Sequence, residues 1–128
     1  MFSHTVEIYY EDTDVSGVVY HANYLKYFER AREHMLGRGE LVRLLEEEGV
    51  GFVVYKAEMT FRRGARLGDA LEIRTVAHKE SPYRAVFDQT VWRQGEDAAL
   101  VEGRIEMVCV DPDHKLVPLP TSIDFSAF

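Results

Sequence analysis

From residue 10 to residue 24 the chain reads Tyr10-Glu11-Asp12-Thr13-Asp14-Val15-Ser16-Gly17-Val18-Val19-Tyr20-His21-Ala22-Asn23-Tyr24. Carboxylates, a glycine and a histidine thus stand directly before a helical pattern. The first turn of a helix has N–H donors without intrahelical partners and about half a positive charge. Such a terminus suits a group that becomes an oxyanion. A carbonyl polarised there is open to attack by Asp14, or by water that Asp14 activates, so the chemistry indicated is acyl transfer. With a reference pKa of about 3.9, the carboxyl is ionised at neutral pH and ready for either role. The same residues also suit structural duties: Asp12 and Asp14 can stabilise a turn and a helix dipole, and His21 or Asn23 can cap a helix. Ser16-Gly17 lacks the Gly-x-Ser-x-Gly surround of a nucleophile elbow, which argues against a serine hydrolase.

The elements that must hold this segment follow from hydrophobic spacing. Residues 4–10 alternate, with Val6 and Ile8 on one face, and predict a strand. Glu11 to Gly17 reads as a loop of turn formers. From Asn23 to Leu36, Tyr24, Tyr27, Phe28, Ala31 and Met35 recur at helical intervals. Lys26, Glu29, Arg30, Arg32 and Glu33 fill the opposite, polar face. Gly37 and Gly39 follow where a left-handed residue commonly stops a helix. A shorter helix is expected over residues 40–48, closed by Gly49. Beyond Gly51 the period is two: residues 52–62, 69–77, 83–93 and 100–110 predict four long strands. Their short connections make them antiparallel hairpins. The fold class is therefore α+β, a curled antiparallel sheet of about five strands wrapped around one long helix.

With 128 residues, 46% of them hydrophobic, the chain is read as a single domain over 1–128 that folds without staples. Its formal charge of −7 repels polyanions and argues against nucleic acid as the main partner. One cysteine, Cys109, excludes an intrachain disulfide and a multi-cysteine metal site, so no metal is expected and a reducing cytoplasm is. The first ten residues lack the pattern of a signal peptide. No run approaches the ~18 apolar residues of a membrane span.

The run Thr13-Asp14-x-x-Gly17-x-Val19-x-His21-x-x-Tyr24-Leu25-x-x-Phe28-Glu29-x-Ala31-Arg32 resembles the signature of the 4-hydroxybenzoyl-CoA thioesterase family. It is especially similar to the bacterial acyl-CoA thioesterases associated with the Tol–Pal system. Phe61-x-x-Gly64-Ala65-x-x-x-Asp69-x-Leu71-x-Ile73 is a looser likeness, with Gly64 where the family favours Pro. The resemblance implies a hot-dog fold and hydrolysis of an acyl-CoA thioester, with Asp14 as nucleophile or general base. It places the carbonyl-polarising backbone N–H near His21, and it sets Gly17, Tyr20 and Tyr24 about the substrate. Coenzyme A is then part of the substrate, and no separate cofactor is required.

The phosphates of coenzyme A need cations, for which the Arg62, Arg63 and Arg66 cluster is the first choice, ahead of Lys56, Lys79 and Arg84. Long alternating strands leave an edge to be covered. The family resemblance implies a homodimer or homotetramer with active sites between subunits. Two rival functions are a hot-dog dehydratase acting on hydroxyacyl thioesters, with His21 as base, and a non-catalytic acyl-CoA-binding module.

Overall fold

An amphipathic segment with no internal Gly or Pro folds as the predicted fourteen-residue helix α1, Asn23–Leu36, in a computed structural model that describes residues 1–128. Gly37 ends it at φ +95°, in the region where a residue bearing a Cβ is strained. The start differs from expectation. Ala22 occupies the cap position without a side-chain hydrogen bond, and the Asn23 amide instead donates to the Asp12 carbonyl at 2.9 Å. The second helical segment begins earlier than its sequence pattern suggests. It comprises α2, Arg38–Arg43, and a π-helical turn over Leu44–Glu48, closed by Gly49 at φ +67°. Gly39 lies inside α2.

The strands are β1 Phe2–Glu7, β2 Gly51–Phe61, β3 Ala70–Ser81, β4 Arg84–Arg93, β5 Val101–Val110 and the two-residue β6 Leu116–Val117. They form one six-stranded antiparallel sheet in the order β1-β3-β4-β5-β2, with β6 added to β5. β1 stops at Glu7 because Tyr10–Asp12 form a 3-10 turn in which the Asp12 carboxylate accepts the Tyr9 N–H at 2.8 Å. β6 is too short to leave a periodic signal.

Tyr27, Phe28, Ala31 and Met35 of α1 pack on Leu71, Ile73, Phe87, Val91, Val101 and Ile105 of the sheet. Each fully buried large side chain contributes about 1.5–3 kcal/mol. This single apolar face fixes the pairing register, since a one-residue slip would turn it to solvent. Leu119 and Phe125 from the final turns complete the core. Two polar positions break the expected alternation. Glu106 is buried against Arg84, 3.3 Å away, whose guanidinium also lies over the Tyr55 ring. Arg32, assigned by spacing to the solvent face of α1, is buried under the sheet. No helix is long and apolar enough to cross a membrane.

Candidate active site

The segment before α1 folds as a small hairpin. Thr13 bridges Val19, and Val18 bridges Arg66, so the hairpin is sewn to the chain following β2. The Asp14 N–H donates to Val18 O at 2.9 Å, and the Val19 N–H donates to Ala65 O at 2.8 Å. The turn at its tip closes with the Gly17 N–H on Asp14 O at 3.0 Å, and Gly17 sits at φ +82°. Gly17 thus serves the turn, because that backbone conformation is costly for a residue with a Cβ.

Asp14 is half-buried at the start of this turn. Its Oδ1 accepts the Ser16 N–H at 2.9 Å and the Ser16 hydroxyl at 2.5 Å. This side-chain turn locks the carboxylate in place while Oδ2 stays without a protein partner. The two Ser16 donors hold the Asp14 carboxyl below its ordinary pKa, and His21 adds a smaller effect in the same direction. A carboxylate with a depressed pKa stays ionised as pH falls. Ser16→Ala removes the largest of these influences, so the acid limb of a pH–rate profile is expected to move to higher pH. The neutral plateau should change little. An unmoved acid limb would mean that Asp14 does not control the profile.

Asp12 is scaffolding: besides its carboxylate contact, its carbonyl accepts from Tyr20 N–H at 2.9 Å and from Asn23. These bonds fix the path into α1. At its head, Asn23 N–H donates to Tyr20 O and Tyr24 N–H to His21 O, whereas the N–H groups of His21 and Ala22 have no protein acceptor. Two free donors therefore stand at the positive end of a helix. The exposed His21 ring makes no hydrogen bond; it lies 4.5 Å from the Tyr20 ring and 5.9 Å from the Phe61 ring.

Tyr24 sits behind this surface. It is 2% exposed, its hydroxyl accepts the Ala65 N–H at 3.2 Å, and its ring tilts on Phe61. Burial raises its pKa. Of the arginine cluster, Arg62 is paired with Glu102 and Arg63 with Glu96, each at 2.8 Å, and Arg93 bridges Asp69 and Glu96. The Arg66 side chain alone of the three is without a carboxylate, and it lines a polar cavity with Arg63, Gly64, Asp69 and Arg93. Local spacing could not reveal this neutralisation, because the acids lie on other strands and turns. No three His, Cys, Asp or Glu side chains converge into a group that could hold a metal ion.

The His21 ring lies between the exposed rings of Tyr20 and Phe61, and Asp14 is near enough to feel the His21 charge. Val15 at the hairpin tip is fully exposed beside Asp14. A family model for the thioesterase-like superfamily matches residues 9–124. The acyl-CoA thioester hydrolase YbgC of Escherichia coli O157:H7 is 42% identical over 126 residues, 96% of this chain and 92% of that protein. The acyl-CoA thioesterase YbgC of Haemophilus influenzae is 38% identical, over 86% of this chain and 81% of that one. Among solved structures, a probable thioesterase from Bartonella henselae superposes with a TM-score of 0.85 at 32% identity, covering 92% of this chain and 98% of its own. A 1,4-dihydroxy-2-naphthoyl-CoA thioesterase from Synechocystis gives the same score at 25% identity, covering 93% and 89%.

Proposed function

From the premise that the chain belongs to the thioesterase-like superfamily, we propose that it hydrolyses an acyl-CoA thioester to the free acid and coenzyme A, with Asp14 as the reacting carboxylate. Acyl-CoA thioester hydrolysis itself is supported by the relatives' shared activity and by the hot-dog architecture. The role of Asp14 is supported by one observation above all. A carboxylate fixed through one oxygen, with the other free, stands in the hairpin that leads to two unpaired N–H donors at the head of α1.

In the general-base route, Asp14 Oδ2 takes a proton from water as the oxygen of that water adds to the thioester carbon. The carbonyl oxygen becomes an oxyanion and accepts from the His21 and Ala22 N–H groups. Collapse breaks the carbon–sulfur bond, and the departing coenzyme A thiolate takes up a proton. In the nucleophilic route, Oδ2 itself adds to the carbon and forms an anhydride that water then opens. The dehydratase reading asks for a histidine ring poised as base, and the His21 ring has no hydrogen-bond partner to orient it.

Arg66 is the candidate for the coenzyme A phosphates, since the structure leaves its guanidinium without a carboxylate. Arg62 and Arg63 would have to leave Glu102 and Glu96 first. The chain acts as a homodimer built on the outer edge of β2, a long unpaired strand that would otherwise invite aggregation. Its one thiol, Cys109, is buried and pushed up to about 12, which suits a reducing compartment such as the cytoplasm.

The decisive assay is thiol release across a panel of acyl-CoA substrates. Turnover is expected, and Arg66→Ala should raise KM by roughly 2- to 5-fold with kcat unchanged, as for a solvent-exposed ion pair made equally in ground and transition states. Saturable binding without thiol release anywhere in the panel would instead identify a non-catalytic acyl-CoA-binding module.

A further inference from the structure

Arg32 is 5% exposed, yet it forms no ion pair. Its Nη1 donates to Gln89 Oε1 at 2.9 Å, and Gln89 in turn donates to Phe28 O and Thr75 Oγ1. Nε and Nη2 have no protein acceptor but are not sealed from solvent, since the Tyr27 hydroxyl is the one buried side-chain polar atom left unpaired. Arg32 walls a cavity of about 330 Å³ between α1, α2 and the start of β2. Glu29, Glu33 and Arg38 also reach this cavity, and Glu33 is occupied by Arg38 at 3.2 Å. The rest of the wall is mainly apolar, including Leu36, Leu41, Leu45, Phe52 and Met107. Its volume lies within the range of small-ligand pockets. Burial lowers the Arg32 pKa to about 10, which leaves it charged at neutral pH.

The two unused donors reach solvent, and a ligand oxygen in the cavity can accept from them in place of water. An apolar wall, by contrast, favours hydrocarbon. One occupant answers both: a hydrocarbon stem ending in an oxygen acceptor. We propose that this groove is the acyl-group site, and that Arg32 selects acyl groups whose far end carries such an acceptor, a hydroxyl or a carboxylate. The assignment rests on the thioesterase reading above and adds a substrate class to it.

The groove reaches a thioester through a second copy of the chain. Along one chain, Arg32 lies nine residues from Asn23, about 14 Å at 1.5 Å per residue, so the helix start and the groove are far apart. β2 has an unpaired outer edge, and its central residue is Lys56. Antiparallel pairing of two copies about Lys56 sets Gly51 of one beside Phe61 of the other. Phe61 packs against His21 and Tyr24, both at 5.9 Å, while Gly51 and Phe52 form the mouth of the groove. In such a pair each catalytic surface would face the other copy's groove, whose wall includes Arg32.

The test is thiol release by the full-length protein on medium-chain acyl-CoA substrates of one carbon count: unsubstituted, ω-hydroxylated and ω-carboxylated. One or both oxygenated forms should exceed the unsubstituted form by about 10- to 100-fold in kcat/KM, the yield of one hydrogen bond to a charged group. Arg32→Met, of comparable length but without donors, should abolish that preference. Leu45→Trp, at an exposed position on the mouth, should lower kcat/KM for the favoured substrates without shifting Tm, and it stands in for the arginine variant should that fail to fold. Equal kcat/KM for all three substrates, with Asp14-dependent turnover intact, would overturn the groove assignment and leave the thioesterase reading standing. A monomer in sedimentation equilibrium would overturn it as well. Calorimetry on the Asp14→Asn protein reads the groove without turnover: tighter binding of either oxygenated substrate supports the assignment, and equal affinities overturn it. Absence of thiol release from every substrate counts against the thioesterase reading, and the calorimetric comparison then decides the groove.

Discussion

Asp14→Asn is expected to lower kcat by about 10²- to 10⁴-fold, the usual contribution of a positioned general base or more. The exchange is informative because it spares the fold. An Asn Oδ1 can still accept the Ser16 N–H and hydroxyl, so the turn through Gly17 persists with its geometry. What disappears is the charge on the second oxygen. KM should change little, since binding of coenzyme A and of the acyl group does not run through this oxygen. Circular dichroism and Tm should match the parent. A correctly folded Asn variant with parental turnover would remove Asp14 from the mechanism. Single-turnover hydrolysis in heavy-oxygen water then separates the two routes: label in the Asp14 carboxylate requires the anhydride, and label confined to the product acid indicates direct attack by water.

The second large effect concerns stability and falls where α1 meets the sheet. Gly103 on β5 pairs with Met59 and Gln89, and a Cβ built there would lie 2.5 Å from Phe28 Cε2 and 2.9 Å from Met59 Sδ. Phe28 is fully buried and cannot swing outward. Gly103→Ala should therefore cost about 1–3 kcal/mol, the range for overpacking a core. Phe28→Ala should cost about 3–5 kcal/mol through the cavity it leaves. The double variant should lose less than the sum, because the new methyl partly fills that cavity. Urea unfolding measures all three, and strict additivity would show that the two positions are not in contact. Phe28 lies one turn beyond Tyr24, so this contact also sets the depth at which the free N–H groups of His21 and Ala22 are presented.

The span of α1 was legible because Tyr24, Tyr27, Phe28, Ala31 and Met35 carry their own period. Leu71, Ile73 and Thr75 likewise declare the inner face of β3, and both patterns were met in the structure. Arg32 was misread for an instructive reason. Beside Glu29, Arg30 and Glu33 it belongs to a charged run, and nothing within a turn of it announces Gln89, 57 residues further along. The arginine cluster misled in the same way, since Glu102 lies 40 residues from Arg62 and Glu96 lies 33 from Arg63.

By itself, the order of residue types determined the elements, the α+β class and the Asp14-to-His21 segment at a helix start. Each of these is a property of neighbours a few positions apart, where side-chain period and backbone preference act directly. Tertiary structure alone decided which carboxylate oxygen is free, which arginine lacks an acid and which one turns inward to a cavity. Those outcomes depend on strand register and on the angle at which α1 crosses the sheet, and both are set by the packing of the whole core rather than by any short stretch of chain.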